Sequence, residues 1–187
     1  MTGNTSASSQ PASSYPPIPP DDLHRTLTLA RPNDDQSLPH IGLVGDTYTI
    51  LLTGADTAGR YCLIDMHVPP GGGPAPHRHD FEESFTLLEG EIEVTFRGAT
   101  SVVRAGETVN IPSNAPHEFH NKTAQSVRLL CICAPSGQEE FFMAVGVPVA
   151  SRTTPPPPTL DAAAQAAFQE KAKALAPRYR TELLQHA

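Results

Sequence analysis

The sequence predicts an all-β domain, built as a sandwich or a barrel. Two observations carry this. From about residue 47 the apolar pattern turns to period two, with β-branched residues filling short runs. Those runs end at Gly- or Pro-containing turns at close spacing. A third observation places chemistry on that frame: His77 and His79 alternate on one extended segment, Glu83 follows, and His117 comes from a later one.

Taken in order, residues 1–20 are rich in Ser, Thr and Pro and end in Pro16-Pro17-Ile18-Pro19-Pro20. They hold too little bulky apolar surface to offset the entropy of ordering, so 1–22 reads as a disordered N-terminal arm. An ordered barrel domain is expected over 23–150, beginning near Leu23. Strands are expected at 47–52 and 60–68. Pro69-Pro70-Gly71-Gly72-Gly73-Pro74 then breaks the pattern and delivers the chain to the histidine pair. Strands 84–88 and 91–96 flank a hairpin turn at Glu89-Gly90. Residues 97–99 turn again, and 101–104 is a short strand. Strands 108–111 and 117–120 flank the 112–116 loop, and 126–134 closes the series. Ser136-x-x-Glu139 has the form of a capping box opening a helix over 138–145, stopped by Gly146. Residues 151–187 read as a Pro-rich linker and a C-terminal helix, capped by Asp161 and running to about Leu175. The thin apolar stripe of that helix predicts packing on the barrel exterior or on a partner chain, and a homodimer is the expected assembly.

The two site segments are Gly71-x5-His77-x-His79-x3-Glu83-x6-Gly90 and Gly106-x5-Pro112-x-Asn114-x2-His117-x3-Asn121. Side chains alternate along a strand, so His-x-His puts two rings on one face. Three neutral imidazoles and one carboxylate make a mixed nitrogen and oxygen site for a divalent transition metal. Strand parity places Glu83, Phe85 and Leu87 on one face, and His117 with Phe119 on one face. Phe85, Phe119 and Met66 are therefore candidates for the wall of a substrate pocket above the metal. His120 and Glu82 fall on the opposite faces. His24, His40, His67 and His186 lack partners at ligand spacing and read as surface or loop residues. Asn121 is assigned a turn or supporting hydrogen bond.

These segments resemble the two motifs of the cupins. The match departs at Asn114, where the family pattern has Gly; Asn is the next best residue at positive φ. The resemblance implies a cupin-type double-stranded β-helix, a jelly roll barrel with short C-terminal helices. It also implies His77, His79, Glu83 and His117 as four metal ligands. Iron, manganese, nickel, cobalt, copper and zinc all accept that set. With Phe141-Phe142 followed by Gly146-x-Pro148 and a Pro-rich stretch, the chain is similar to the single-domain cupins related to quercetin 2,3-dioxygenase.

Composition narrows the partners. The formal net charge is −7, and no Lys/Arg cluster offers a phosphate-binding stripe, so nucleic acid is excluded. No apolar run is long enough to span a membrane, and 1–10 lacks the apolar core of a secretory signal. Three cysteines, Cys62, Cys131 and Cys133, lack framework spacing and read as small buried reduced thiols of a cytoplasmic protein. No nucleophilic Ser or Cys arrangement is evident. The expected function is a metal-dependent dioxygenase acting on a hydroxylated, aromatic or enolic small molecule. Glu83 would also take the proton of the substrate hydroxyl. A metal-dependent lyase or isomerase on the same site, or a non-enzymatic ligand-binding cupin, are the competing expectations.

Overall fold

The computed structural model describes residues 15–43, 45–155 and 162–185. Expectations for 1–14, for the Pro155–Pro158 spacer beyond Pro155, for the Asp161 cap and for His186 lie outside those residues.

Two antiparallel sheets face each other. In chain order the strands are β1 (His40–Leu43), β2 (Asp46–Leu52), β3 (Cys62–Val68), β4 (His77–His79), β5 (Glu82–Glu89) and β6 (Glu91–Phe96). They continue as β7 (Ala99–Arg104), β8 (Thr108–Ile111), β9 (His117–His120), β10 (Val127–Ala134), β11 (Val147–Pro148) and β12 (Thr181–Leu183). Among the described residues the α-helices are α1 (Gly54–Thr57), α2 (Gln138–Val145) and α3 (Ala162–Leu175), and a 3-10 turn over Ala176–Tyr179 follows α3. One sheet runs β11-β1-β2-β3-β10-β5-β8 and the other β12-β4-β9-β6-β7. This mostly β architecture is the double-stranded β-helix that the two motifs imply.

The core lies between the sheets and follows strand parity. Cys62, Ile64, Met66 and Val68 of β3 are buried, as are Glu83, Phe85 and Leu87 of β5 and the alternate residues Val127, Leu129, Cys131 and Cys133 of β10. Because β10 pairs with both neighbours, these residues form cross-strand rows. Cys131 faces Ile64 and Phe85, and Cys133 faces Cys62 and Glu83. Phe85 and Phe119 are fully buried and meet edge to face with ring centres 5.1 Å apart. Burying a ring of that size is worth roughly 2–3 kcal/mol, and edge-to-face contact adds about 1 kcal/mol.

The glycine-rich breaker has a physical requirement at Gly73. Its φ is +125°, and a Cβ there would lie 2.0 Å from the Phe119 carbonyl oxygen. Only glycine lets this loop cross the end of β9 closely enough to bring His77 opposite His117. Asn114 has φ +67°, the left-handed conformation expected of it.

Four expectations are corrected. The first strand begins at His40, and Leu23, Leu27 and Leu29 stand exposed on irregular chain. The short His-Ile-Gly-Leu run has too little alternation to be read as a strand. His40 is accordingly not a surface residue: it is buried on β1, with its ring Nδ1 2.8 Å from Thr49 Oγ1. Ser136 does not cap α2. The N-cap is Gly137 at φ +135°, with no side-chain cap bond. Glu139 instead accepts from the Gly54 and Gly137 N–H groups, both at 2.7 Å. Finally, α3 does not lie on the barrel's outer wall. Phe168 and Ala172 turn towards the open end of the barrel, and the chain returns as β12 beside β4, pairing Thr181 with His79 and Leu183 with His77. The signal was faint because a three-residue edge strand has no periodicity to read.

Candidate metal centre

His77 and His79 project inward from β4 while Arg78 between them stays exposed, where it pairs with Glu182 at 2.6 Å. His117 on β9 stands directly opposite His77 in the ladder, and their ring centres are 4.3 Å apart. Glu83 enters from β5 in the other sheet. All four side chains are buried, and their donor atoms lie within 4.8 Å of one another.

The histidine orientation suits a cation. Each Nδ1 meets a backbone carbonyl: His77 that of Ala75 at 2.9 Å, His79 that of Phe81 at 2.9 Å, His117 that of Ala115 at 3.0 Å. A bond to a carbonyl requires hydrogen on Nδ1, which leaves each Nε2 lone pair for the interior. Phe81 also stacks on His79 with 3.9 Å between centres, fixing its plane.

The electrostatics agree with that orientation. Burial, reinforced by the nearby His117, pulls His77 down to about 4, so its ring is neutral at neutral pH. Burial alone would raise the Glu83 carboxyl, but with protons rather than a metal on their Nε2 atoms His117 and His79 donate to it and hold the group well below the usual carboxylate range. Burial opposes charge on His117 as well, yet its bond to Glu83 lifts it above the ordinary histidine value. Glu83 Oε2 is 3.0 Å from His117 Nε2 and 3.2 Å from His79 Nε2. The anion thus attracts positive charge to the Nε2 atoms, where protons and a divalent cation compete for the same lone pairs. This cluster could hold a metal ion.

The remaining candidates fall around it. Met66, Phe85 and Phe119 line a cavity of about 200 Å³ together with His77 and Glu83. Tyr48, which the sequence reading did not select, is also in the lining; its hydroxyl donates to Asp46 Oδ2 at 3.1 Å. Gln138, Gln165, Gln169 and Thr181 are further polar residues of the lining. Glu82 is exposed and accepts from Asn110 at 2.9 Å, outside the cluster. His120 lies on the opposite face of β9, 3.3 Å from Glu118. Asn121 is buried but serves a turn, donating to Val68 and Gln125 carbonyls. Among the described residues Cys62, Cys131 and Cys133 are free and buried. Cys131 and Cys133 carry more than core packing, because their thiols reach Glu83 Oε1 at 3.3 and 3.7 Å. The rows set by β10 contained that signal, but register across three strands was needed to see it. No helix among the described residues is long and apolar enough to cross a membrane.

Residues 64–133 match the family model described as the cupin domain. The chain is 32% identical over 104 residues to dimethylsulfoniopropionate lyase DddW of Ruegeria pomeroyi, covering 51% of this chain and 68% of that protein. It is 24% identical over 108 residues to quercetin 2,3-dioxygenase of Bacillus subtilis, covering 57% of this chain. That match spans only 32% of the Bacillus protein's length. In fold it resembles a Thermotoga maritima protein described as a predicted oxalate decarboxylase, with a TM-score of 0.50 at 19% identity over 57% of this chain and 98% of that one.

Proposed function

We propose, because this chain belongs to the cupin family, that it is a metal-dependent dioxygenase acting on an uncharged, hydroxylated aromatic or enolic small molecule. The observation that carries the reading is the cavity. His77 and Glu83 sit in its wall, and the rest of the lining is dominated by aromatic and aliphatic side chains. Among the described residues the lining has no Lys or Arg. A substrate carboxylate or phosphate would find a bound metal as its cationic partner but no guanidinium or ammonium among the described lining residues. A flat ring bearing a hydroxyl group fits Phe85 and Phe119, with the hydroxyl directed to the cluster.

His77, His79, Glu83 and His117 are the residues that would hold the metal. A divalent transition metal bound there would supply Lewis acidity towards the substrate oxygen and one-electron chemistry towards O₂. The chain's own residues do the rest. The three backbone carbonyls keep each imidazole in the tautomer that presents Nε2. The aromatic wall excludes water and orients the ring plane. Glu83 receives the hydroxyl proton as the substrate arrives, which leaves the electron-rich anion at the cluster.

The similarity to a lyase supports a second reading, in which the same four residues serve elimination or isomerisation without O₂. The largely aromatic and aliphatic lining of this cavity favours a flat ring over a small charged substrate, so the dioxygenase reading is preferred. A ligand-binding protein without catalysis ranks last, since all four donor residues are present and converge. The deciding experiment is metal analysis of the native protein followed by O₂-electrode screening with flavonols and other enols. One O₂ consumed per substrate is expected. Turnover without O₂ uptake would transfer the assignment to the lyase or isomerase.

A further inference from the structure

Glu83 uses its two oxygens differently. Oε2 faces His79 and His117 at 3.2 and 3.0 Å. Oε1 turns away from them to two thiols, Cys131 Sγ at 3.3 Å and Cys133 Sγ at 3.7 Å. The two sulfurs are 3.6 Å apart on alternate residues of β10, so one strand face presents them as a pair. Cys133 also lies directly across the ladder from Glu83 on one side and Cys62 on the other. Apolar residues at 131 and 133 would fill the same space with no bond to the carboxylate. A buried carboxylate oxygen with no donor would be costly, and here S–H groups are the donors it has.

We propose that Cys131 and Cys133 are positioning residues for Glu83: their S–H groups hold Oε1 against β10, so that Oε2 alone is directed to the metal. The inference rests on the reading of Glu83 as a metal ligand. A one-oxygen carboxylate leaves a coordination position that a two-oxygen carboxylate would occupy.

The test uses Co²⁺ as the probe, because its visible spectrum reports coordination number. Wild type, Cys131→Ser, and the double variant Cys131→Ala/Cys133→Ala are each titrated with Co²⁺. The double variant is expected to bind Co²⁺ about 10–100-fold more weakly, the range for losing a hydrogen bond behind a ligand. Its spectrum should weaken towards higher coordination as Glu83 closes on the metal with both oxygens. Cys131→Ser keeps a donor, and its spectrum should follow wild type. A merely structural role would lower the melting temperature of the double variant and leave affinity and spectrum unmoved, which overturns the proposal. If wild type takes up no Co²⁺, the metal reading itself falls and this inference falls with it. A second readout needs no cysteine substitution: in Glu83→Gln, infrared S–H bands of the thiols should move to higher wavenumber as the charged acceptor disappears. Unmoved bands would likewise overturn the proposal.

Discussion

At the scale of single residues, the proposed reading gives Glu83 two separable tasks, holding a cation and accepting a proton. Glu83→Gln keeps the shape and one carbonyl oxygen but removes the charge and nearly all basicity. Metal affinity should weaken, and excess metal should restore occupancy. Turnover should not recover, because general-base catalysis contributes typically about 10²–10⁴ in rate. The measurement is kcat at saturating metal, with occupancy determined on the same sample. A near-wild-type kcat in the fully loaded variant would remove the base role and favour Lewis-acid chemistry. The four donor residues, the wall residues Met66, Phe85 and Phe119, and the positive φ of Asn114 were all legible in the sequence. The pairing of His77 with His79 and the facing of Phe85 and Phe119 follow from strand parity, while the full donor set and the turn at Asn114 follow from the resemblance to the cupin motifs. The thiol contacts to Glu83 and the place of Tyr48 in the lining were not, because both depend on which strands are neighbours.

At the scale of elements, the loop between β3 and β4 must deliver His77 in register with His117, and Asp46 sits beneath it. Asp46 is fully buried, and a Cβ on Gly72 would lie 2.2 Å from its Oδ1. That oxygen has no hydrogen-bond partner among the described residues. Burial pushes the Asp46 carboxyl up to about 7, against the lowering effects of the Tyr48 hydroxyl and the Gly73 backbone N–H. Between pH 3.8 and about 7 the folded state therefore holds a proton that the unfolded state has released. Stability from this group is full below the lower value and is lost as pH rises through the upper one. Asp46→Asn cannot ionise and should remove that loss. In urea melts of metal-free protein, the variant should gain on wild type between pH 4 and 7.5 by a few kcal/mol, on the order of 1.4 kcal/mol for each pH unit between the two values. An identical pH slope in both proteins would show that Asp46 is ionised in the fold. The strands and both longer helices were legible because their patterns repeat. β1, α1, β11, β12 and the N-terminus of α2 were not, since a short edge strand, a single helical turn and a glycine cap leave no periodic trace.

At the scale of the whole molecule, the C-terminal segment forms part of the cavity wall. Phe168 and Ala172 of α3 line the cavity, and β12 extends the sheet that carries His77 and His79. Ion pairs tie this segment down, Arg78 with Glu182 and Arg180 with Asp80, each at 2.6 Å, but all four partners are largely exposed. Such pairs contribute about 0–1 kcal/mol each, so burial of the helix face is the stronger attachment. Removing residues 156–187 should lower the melting temperature and expose the cavity, seen as increased binding of a hydrophobic dye. An unchanged melting temperature would mean that the segment only rests on the barrel. Deleting residues 1–20, in contrast, should leave melting temperature and metal content as they are, because that stretch has almost no bulky apolar side chain to contribute to a core.

The proposed metal centre draws three imidazoles and one carboxylate from three strands onto one ion. It is tested most directly by elemental analysis of purified wild type, His77→Ala and His117→Ala, alongside far-ultraviolet circular dichroism of the same samples. Wild type should hold close to one equivalent of a divalent transition metal per chain. Each variant should fall well below that while keeping the β-sheet spectrum. A full equivalent retained in either folded variant, or none taken up by wild type, would contradict the account.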